Sequence, residues 1–132
     1  MKRSLDIATL VLTVLLLLAF AALSLRGITA PYQASARFGS EVTDPAGTLF
    51  YRVYLSRNLA LAITGAIFLV LRQWRPLAIL VTVTLALPIF DMSVLSLGGV
   101  RPPVFHPAAL ALIAIAAALL WRRAAATPKE KP

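Results

Sequence analysis

Four apolar segments take up most of this chain. Each is close to the ~20 residues that an α-helix needs to cross ~30 Å of hydrocarbon. The first runs from Ile7 to Leu25 without a charge. The second runs from about Thr48 to Leu71 and carries Arg52 and Arg57, and the third, Leu77 to Leu97, carries only Asp91. The fourth, from about Pro107 to Trp121, is short, so its span includes Val104 to His106. With 60% of its 132 residues hydrophobic and a mean hydropathy of +0.85, a soluble domain of this length could not hide so much apolar surface. The sequence therefore predicts an all-α membrane protein. Residues 1–123 form a four-transmembrane-helix bundle, and 124–132, polar and bounded by proline, form a disordered cytoplasmic tail.

Punctuation along the chain supports that count. Asp44-Pro45 has the form of an N-cap followed by proline at the first helical position. Pro76 and Pro107 open the third and fourth helices in the same way, and Gly98-Gly99 ends the third. In the long connection from Arg26 to Thr43, Pro31 to Phe38 predicts a short extracytoplasmic interfacial helix between the first two spans, with Gly39 as its stop. Lys2 and Arg3 before an apolar run could mark a signal peptide, with Ile28-Thr29-Ala30 as a weak cleavage site. The run exceeds the ~7–15-residue apolar core of such signals, so an uncleaved first helix is expected.

The net charge of +8 is segregated. Lys2, Arg3, Arg72, Arg75, Arg122, Arg123, Lys129 and Lys131 fall on one side of a four-span protein, and Arg26, Arg37 and Arg101 fall on the other. The positive-inside rule puts both termini in the cytoplasm, in a multi-pass protein of the cell (inner) membrane. A basic face of this kind reads as anchors near anionic lipid headgroups, not as a nucleic-acid surface. Trp74 and Trp121 read as an aromatic belt at the same interface. The absence of cysteine excludes disulfides, thiol redox chemistry and thiolate metal ligation. A single histidine excludes a bis-histidine haem within one chain, and no glycine-rich phosphate loop is present. No metal or cofactor is expected.

Arg57 and Asp91 are the residues that demand an explanation, because a charge at the centre of a bilayer costs roughly 2.5–3.5 kcal/mol on insertion scales. Arg57 lies nine residues past Thr48, roughly 13 Å from the outer surface. Asp91 lies fourteen residues past Leu77, roughly 21 Å from the cytoplasmic surface and so about 9 Å from the outer one. The two are at one depth, and the sequence predicts that they pair, directly or through one water. Tyr51, Tyr54, Asn58, Leu61 and Gly65 recur at helical spacing beside Arg57, while Thr84, Pro88, Asp91 and Leu95 form a stripe on the third span. Pro88 has no amide hydrogen to give to the carbonyl of Thr84, which should leave a free acceptor in the same interior. His106 opens the fourth helix at this level. Tyr54, Arg57, Asn58, Asp91 and His106 are thus the candidate ligand-binding residues.

One stretch carries a resemblance: Ala36-Arg37-Phe38-Gly39, then Asp44-Pro45, then Tyr51-Arg52-Val53-Tyr54-Leu55-Ser56-Arg57-Asn58-Leu59-Ala60-Leu61. It resembles the DoxX-like four-helix membrane proteins, closest to a branch without an assigned function, and Asp91 and His106 match that pattern's late acid and helix-opening histidine. The resemblance implies a four-helix bundle and a loose link to quinone-associated oxidoreductase complexes. Leu55 or Ser56 and Ala62 stand where that pattern favours glycine.

Three functions fit. The first is a module binding a lipophilic small molecule or a membrane partner subunit. The second is a membrane enzyme of isomerase, cyclase or quinone-linked type, with Asp91 and His106 as its catalytic acid–base pair. The third is a proton-coupled transporter working as a homo-oligomer. The segregated cations give a first prediction. In this cysteine-free chain, Lys2→Cys and Pro128→Cys should both be labelled only from the cytoplasmic side. Labelling of both from outside would reverse the orientation, and labelling of one alone would break the four-span count.

Overall fold

The computed structural model describes residues 2–127, with side chains from residue 5 onward. Six helices follow one another: α1 (Lys2–Thr29), α2 (Pro31–Phe38), α3 (Pro45–Val70), α4 (Trp74–Val83), α5 (Ala86–Leu97) and α6 (Phe105–Ala126). With α4 and α5 taken together, four helical segments are long and apolar enough to cross a membrane: Leu5–Thr29, Pro45–Val70, Trp74–Leu97 and Phe105–Ala126. The large side chains on the outside are apolar, among them Phe50, Val70 and Leu97. That is the surface a hydrocarbon solvent selects. Helix α6 continues through Ala126, so the first three residues of the expected tail are helical. The remainder, 128–132, lies outside the described residues.

Local chemistry sets the helix ends. Asp44 is extended and its Oδ1 accepts from the Gly47 amide at 2.9 Å, while Thr48 Oγ1 donates to the Asp44 carbonyl at 2.9 Å. Pro45 follows as the first helical residue, where a missing amide hydrogen costs nothing. Pro76 and Pro107 sit two residues inside α4 and α6, still within the first turn, where amides have no intrahelical partner. Helices α2, α3 and α5 end alike. Ser40 donates to Ser35 O, Gln73 to Phe68 O and Val100 to Leu95 O, each closing the six-residue ring of a Schellman motif. The left-handed residue in the three motifs is Gly39 (φ 102°), Arg72 (φ 56°) and Gly99 (φ 74°). Arg72 is the one with a Cβ to accommodate.

The third span is not continuous. The Leu85 amide turns to Thr82 O at 3.1 Å, and the Leu87 amide to Thr84 O at 3.1 Å. Thr84 Oγ1 donates to Val81 O at 2.8 Å. The Thr84 carbonyl that Pro88 cannot serve is therefore satisfied by a tighter turn, not left as a free acceptor. This corrects the expectation from sequence and follows from the high cost of an unpaired carbonyl away from water.

The break divides the bundle. On the side carrying both chain termini, Leu77, Ala78 and Val81 of α4 pack with Ala116, Ala117 and Leu120 of α6. Trp121 Nε1 donates to Thr82 Oγ1 at 2.9 Å, the Arg123 guanidinium lies 3.9 Å over the Trp74 ring, and Arg123 pairs with Asp6 at 3.8 Å. On the other side, α5 packs on α6 and has no comparable contact with α3, whereas α4 packs on both. Helices α1 and α3 pass closely along their length. Gly27 leaves room for Leu55, and Gly65 for Leu17, where a Cβ would collide. The buried hydroxyls of Thr9, Thr13 and Ser24 return to carbonyls four residues back, each at 2.7 Å, so α1 carries polar side chains into the bundle without orphaned donors.

The two left-handed ends predict opposite effects. Gly39→Ala would force a Cβ into that conformation 3.2 Å from Pro103 Cδ and should destabilise by about 1–2 kcal/mol. Arg72→Gly should stabilise by up to about 1 kcal/mol, since it removes the same penalty. Denaturation in detergent micelles checks the pair, and equal signs for the two variants would contradict these geometries.

Candidate functional site

Between the helices, on the side where α3 and α5 part, lies a cavity of about 420 Å³. Its volume is within the range of sites that hold small ligands, ~300–1,000 Å³. All six helices contribute to its wall. Its deep end is apolar, formed by residues such as Leu17, Leu61, Leu80, Ile113 and Ala116. The polar residues collect at the end covered by α2: Tyr51, Tyr54 and Asn58 from α3, Asp91 from α5 and His106 from α6.

Helix geometry explains the α3 wall. Tyr51, Tyr54, Asn58 and Leu61 repeat at three and four residues, so they share a face. Tyr51 and Tyr54 stack with ring centroids 6.2 Å apart, and Tyr54 lies beside Asn58. Asn58 is only 9% exposed, and its carboxamide meets the Tyr54 hydroxyl. Among the described residues no buried side-chain nitrogen or oxygen is without a partner. Tyr51, Tyr54, Asn58 and Asp91 all line the cavity, where their remaining donors and acceptors can meet an occupant.

His106 is the exception. It is 2% exposed, and its Nε2 lies 3.2 Å from the Phe38 carbonyl at the end of α2. A carbonyl can only accept, so Nε2 carries the hydrogen, and in the neutral ring Nδ1 is the acceptor. Phe38 meets the His106 ring edge-on, centroids 4.8 Å apart, and also faces Tyr54 at 6.5 Å. Ser35, fully buried, donates to Tyr32 O and accepts from the Val42 amide, both at 3.1 Å. Helix α2 is thereby pinned at its C-terminal half as a cover over the cavity.

Arg57 is not part of this arrangement. It is exposed, it is absent from the cavity wall, and it forms no pair with Asp91. Among the described residues the ion pair is Arg123–Asp6. The depth argument ignored azimuth: Arg57 precedes Asn58 by one residue and so points ~100° away around a helix with 3.6 residues per turn. Two other arginines reach the cavity, Arg26 at the end of α1 and Arg37 on α2. Both are exposed, as are Leu23 (63%) and Phe105 (46%) on the same wall. The mouth therefore lies between α1, α2 and the start of α6. Arg26 and Arg37 had registered only as charges opposite the cationic side. The helical spacing of Ala34, Arg37 and Phe38 was the signal that could have placed one of them inward.

These features define a multi-pass bundle of four membrane-length spans. A family model described as Domain of unknown function (DUF4267) matches residues 17–120, and the chain belongs to that family. No curated protein and no solved structure matches it.

The pinned cover yields a prediction. His106→Ala should loosen α2, because the Phe38 carbonyl loses its partner at about 1–3 kcal/mol. Amide exchange should accelerate in residues 31–38 and stay unchanged around Leu77 and Leu120. Uniform acceleration would mean that His106 supports the whole bundle instead.

Proposed function

We propose that this protein binds a lipophilic amphiphile in the cavity beneath α2. The apolar body lies between the helices and the polar end lies among Tyr51, Tyr54, Asn58 and Asp91. The observation that carries this reading is the cavity itself: about 420 Å³ bounded by apolar side chains, with Tyr51, Tyr54, Asn58 and Asp91 on its wall. A space of that size and lining is what a small amphiphile fills. In this reading the α2 end lies in the outer half of the cell (inner) membrane, both termini are cytoplasmic, and the ligand enters from the outer leaflet. A membrane partner subunit that inserts a side chain is the macromolecular form of the same reading.

Acid–base catalysis on the bound molecule is the second reading, favoured by Asp91 and His106 lying on the same wall. An Nδ1 acceptor near a carboxylate can pass a proton. The resemblance to DoxX-like proteins, which rests on the motif from Ala36 to Leu61 with Asp91 and His106, agrees with a small bundle that serves a lipophilic partner or substrate. Arg57, exposed on α3, belongs in this proposal to lipid headgroup contact by an upward-reaching side chain.

Binding of dansyl-undecanoate, a fluorescent single-chain amphiphile, tests the first reading. Asn58→Leu should weaken it about 5–30-fold, the loss of one buried hydrogen bond, with the melting temperature held or raised. Ala109→Phe, which fills the cavity, should abolish it. Affinity unchanged in both variants would leave the cavity without a binding role.

A further inference from the structure

The two arginines at the mouth say more about the molecule than the cavity alone. Arg26 and Arg37 lie on its wall, and among the described residues neither takes part in an ion pair. Asp91 is the one acid on that wall, so the site keeps a net positive charge with two guanidinium groups at its entrance. Planar, forked donors in this number suit a phosphate or carboxylate. Below them the wall changes character. An ionised Asp91 can only accept, and Asn58, on the same wall, both donates and accepts. A ligand that satisfies both needs a hydroxyl donor beneath its anionic head. Deeper still the wall is hydrocarbon. From Arg26 to Thr13, both on the wall, α1 descends thirteen residues, or roughly 20 Å. The volume of about 420 Å³ lies near the lower end of ligand-holding cavities, ~300–1,000 Å³, which suits one alkyl chain better than two.

We propose that the cavity takes a single-chain lipid phosphate with a free hydroxyl between head and tail. The phosphate is held by Arg26 and Arg37, the hydroxyl by Asp91 and Asn58, and the chain lies between Leu17, Leu61, Leu80 and Ile113. A monoacylglycerol phosphate has this chemistry. The inference rests on the amphiphile reading above and adds the head, the hydroxyl and the number of chains.

Four probes separate these additions, each titrated into the full chain in a neutral detergent. They are monooleoylglycerol phosphate, monooleoylglycerol without the phosphate, oleyl phosphate without the hydroxyl, and dioleoyl phosphatidic acid with a second chain. The first should bind at least 10-fold more tightly than each of the others. Arg26→Gln with Arg37→Gln, both at exposed positions, should weaken the two single-chain phosphates about 10-fold or more and leave monooleoylglycerol unchanged. Asp91→Leu, which removes the acceptor, should erase the preference over oleyl phosphate, and a preference that survives would overturn the hydroxyl assignment. Equal affinity for monooleoylglycerol, or no effect of the arginine variants, would overturn the phosphate assignment while the amphiphile reading stands. Equal affinity for the two-chain lipid would overturn the single-chain assignment. Failure of all four probes together with dansyl-undecanoate would remove the amphiphile reading itself.

Discussion

A proline gives no amide hydrogen, and in a helix surrounded by hydrocarbon that single missing donor has to be answered within the helix. The third span answers it at Thr84–Leu85. Two amides, of Leu85 and Leu87, shorten their reach by one residue, and the Thr84 hydroxyl takes the carbonyl of Val81. The Thr84 carbonyl is satisfied, but the span is now two helices. Its first half keeps contact with α3 and α6, while its second half packs on α6. The cavity occupies the space this leaves, and Thr84, Pro88 and Asp91 all lie on its wall.

The two ends of the bundle treat polarity differently. At the end with the chain termini, polar side chains are matched to one another: Trp121 with Thr82, and Arg123 with both Trp74 and Asp6. At the other end, matched groups serve to hold the cover. Ser35 ties α2 to the strand of chain after it, Gly39 lets the backbone turn where a Cβ would press on Pro103, and His106 reaches Phe38. A cover of eight residues cannot bury enough apolar surface to stay in place alone, so these few directional contacts decide whether it stays seated.

Much of this was legible in the sequence because it rests on period and punctuation. The count of spans followed from apolar length. The starts at Asp44-Pro45 and the stops at Gly39 and Gly98-Gly99 followed from backbone conformations that few residues tolerate. The stripe of Tyr51, Tyr54, Asn58 and Leu61 followed from a 3.6-residue repeat, and His106 from its place at a helix start. What failed did so for geometric reasons. Arg57 and Asp91 were expected to pair because residue counting put them at one depth, but opposite charge at equal depth does not fix azimuth. Thr84 was expected to leave a free carbonyl because a straight helix was assumed, and backbone relaxation over three residues removed the vacancy. Arg37 shares its face of α2 with Ala34 and Phe38, a local signal, but which way that face turns, and that the end of α1 with Arg26 borders the cavity, depend on how α2 folds back, a long-range fact. Ala124 to Ala126 looked like a tail on composition alone, yet Ala124 is buried against the bundle.

The contrast between the two ends bears on why the cavity's polar groups are there. A bundle of this size needs none of them for its fold. Small residues let α1 and α3 approach, and the hydroxyls of Thr9, Thr13 and Ser24 show that this chain pairs buried polar atoms at 2.7 Å wherever only stability is concerned. The Asn58 carboxamide, the hydroxyls of Tyr51 and Tyr54 and the Asp91 carboxylate instead line one cavity, where leucine or phenylalanine would fill the space as in an ordinary core. In the proposed reading, a bound amphiphile pairs with them.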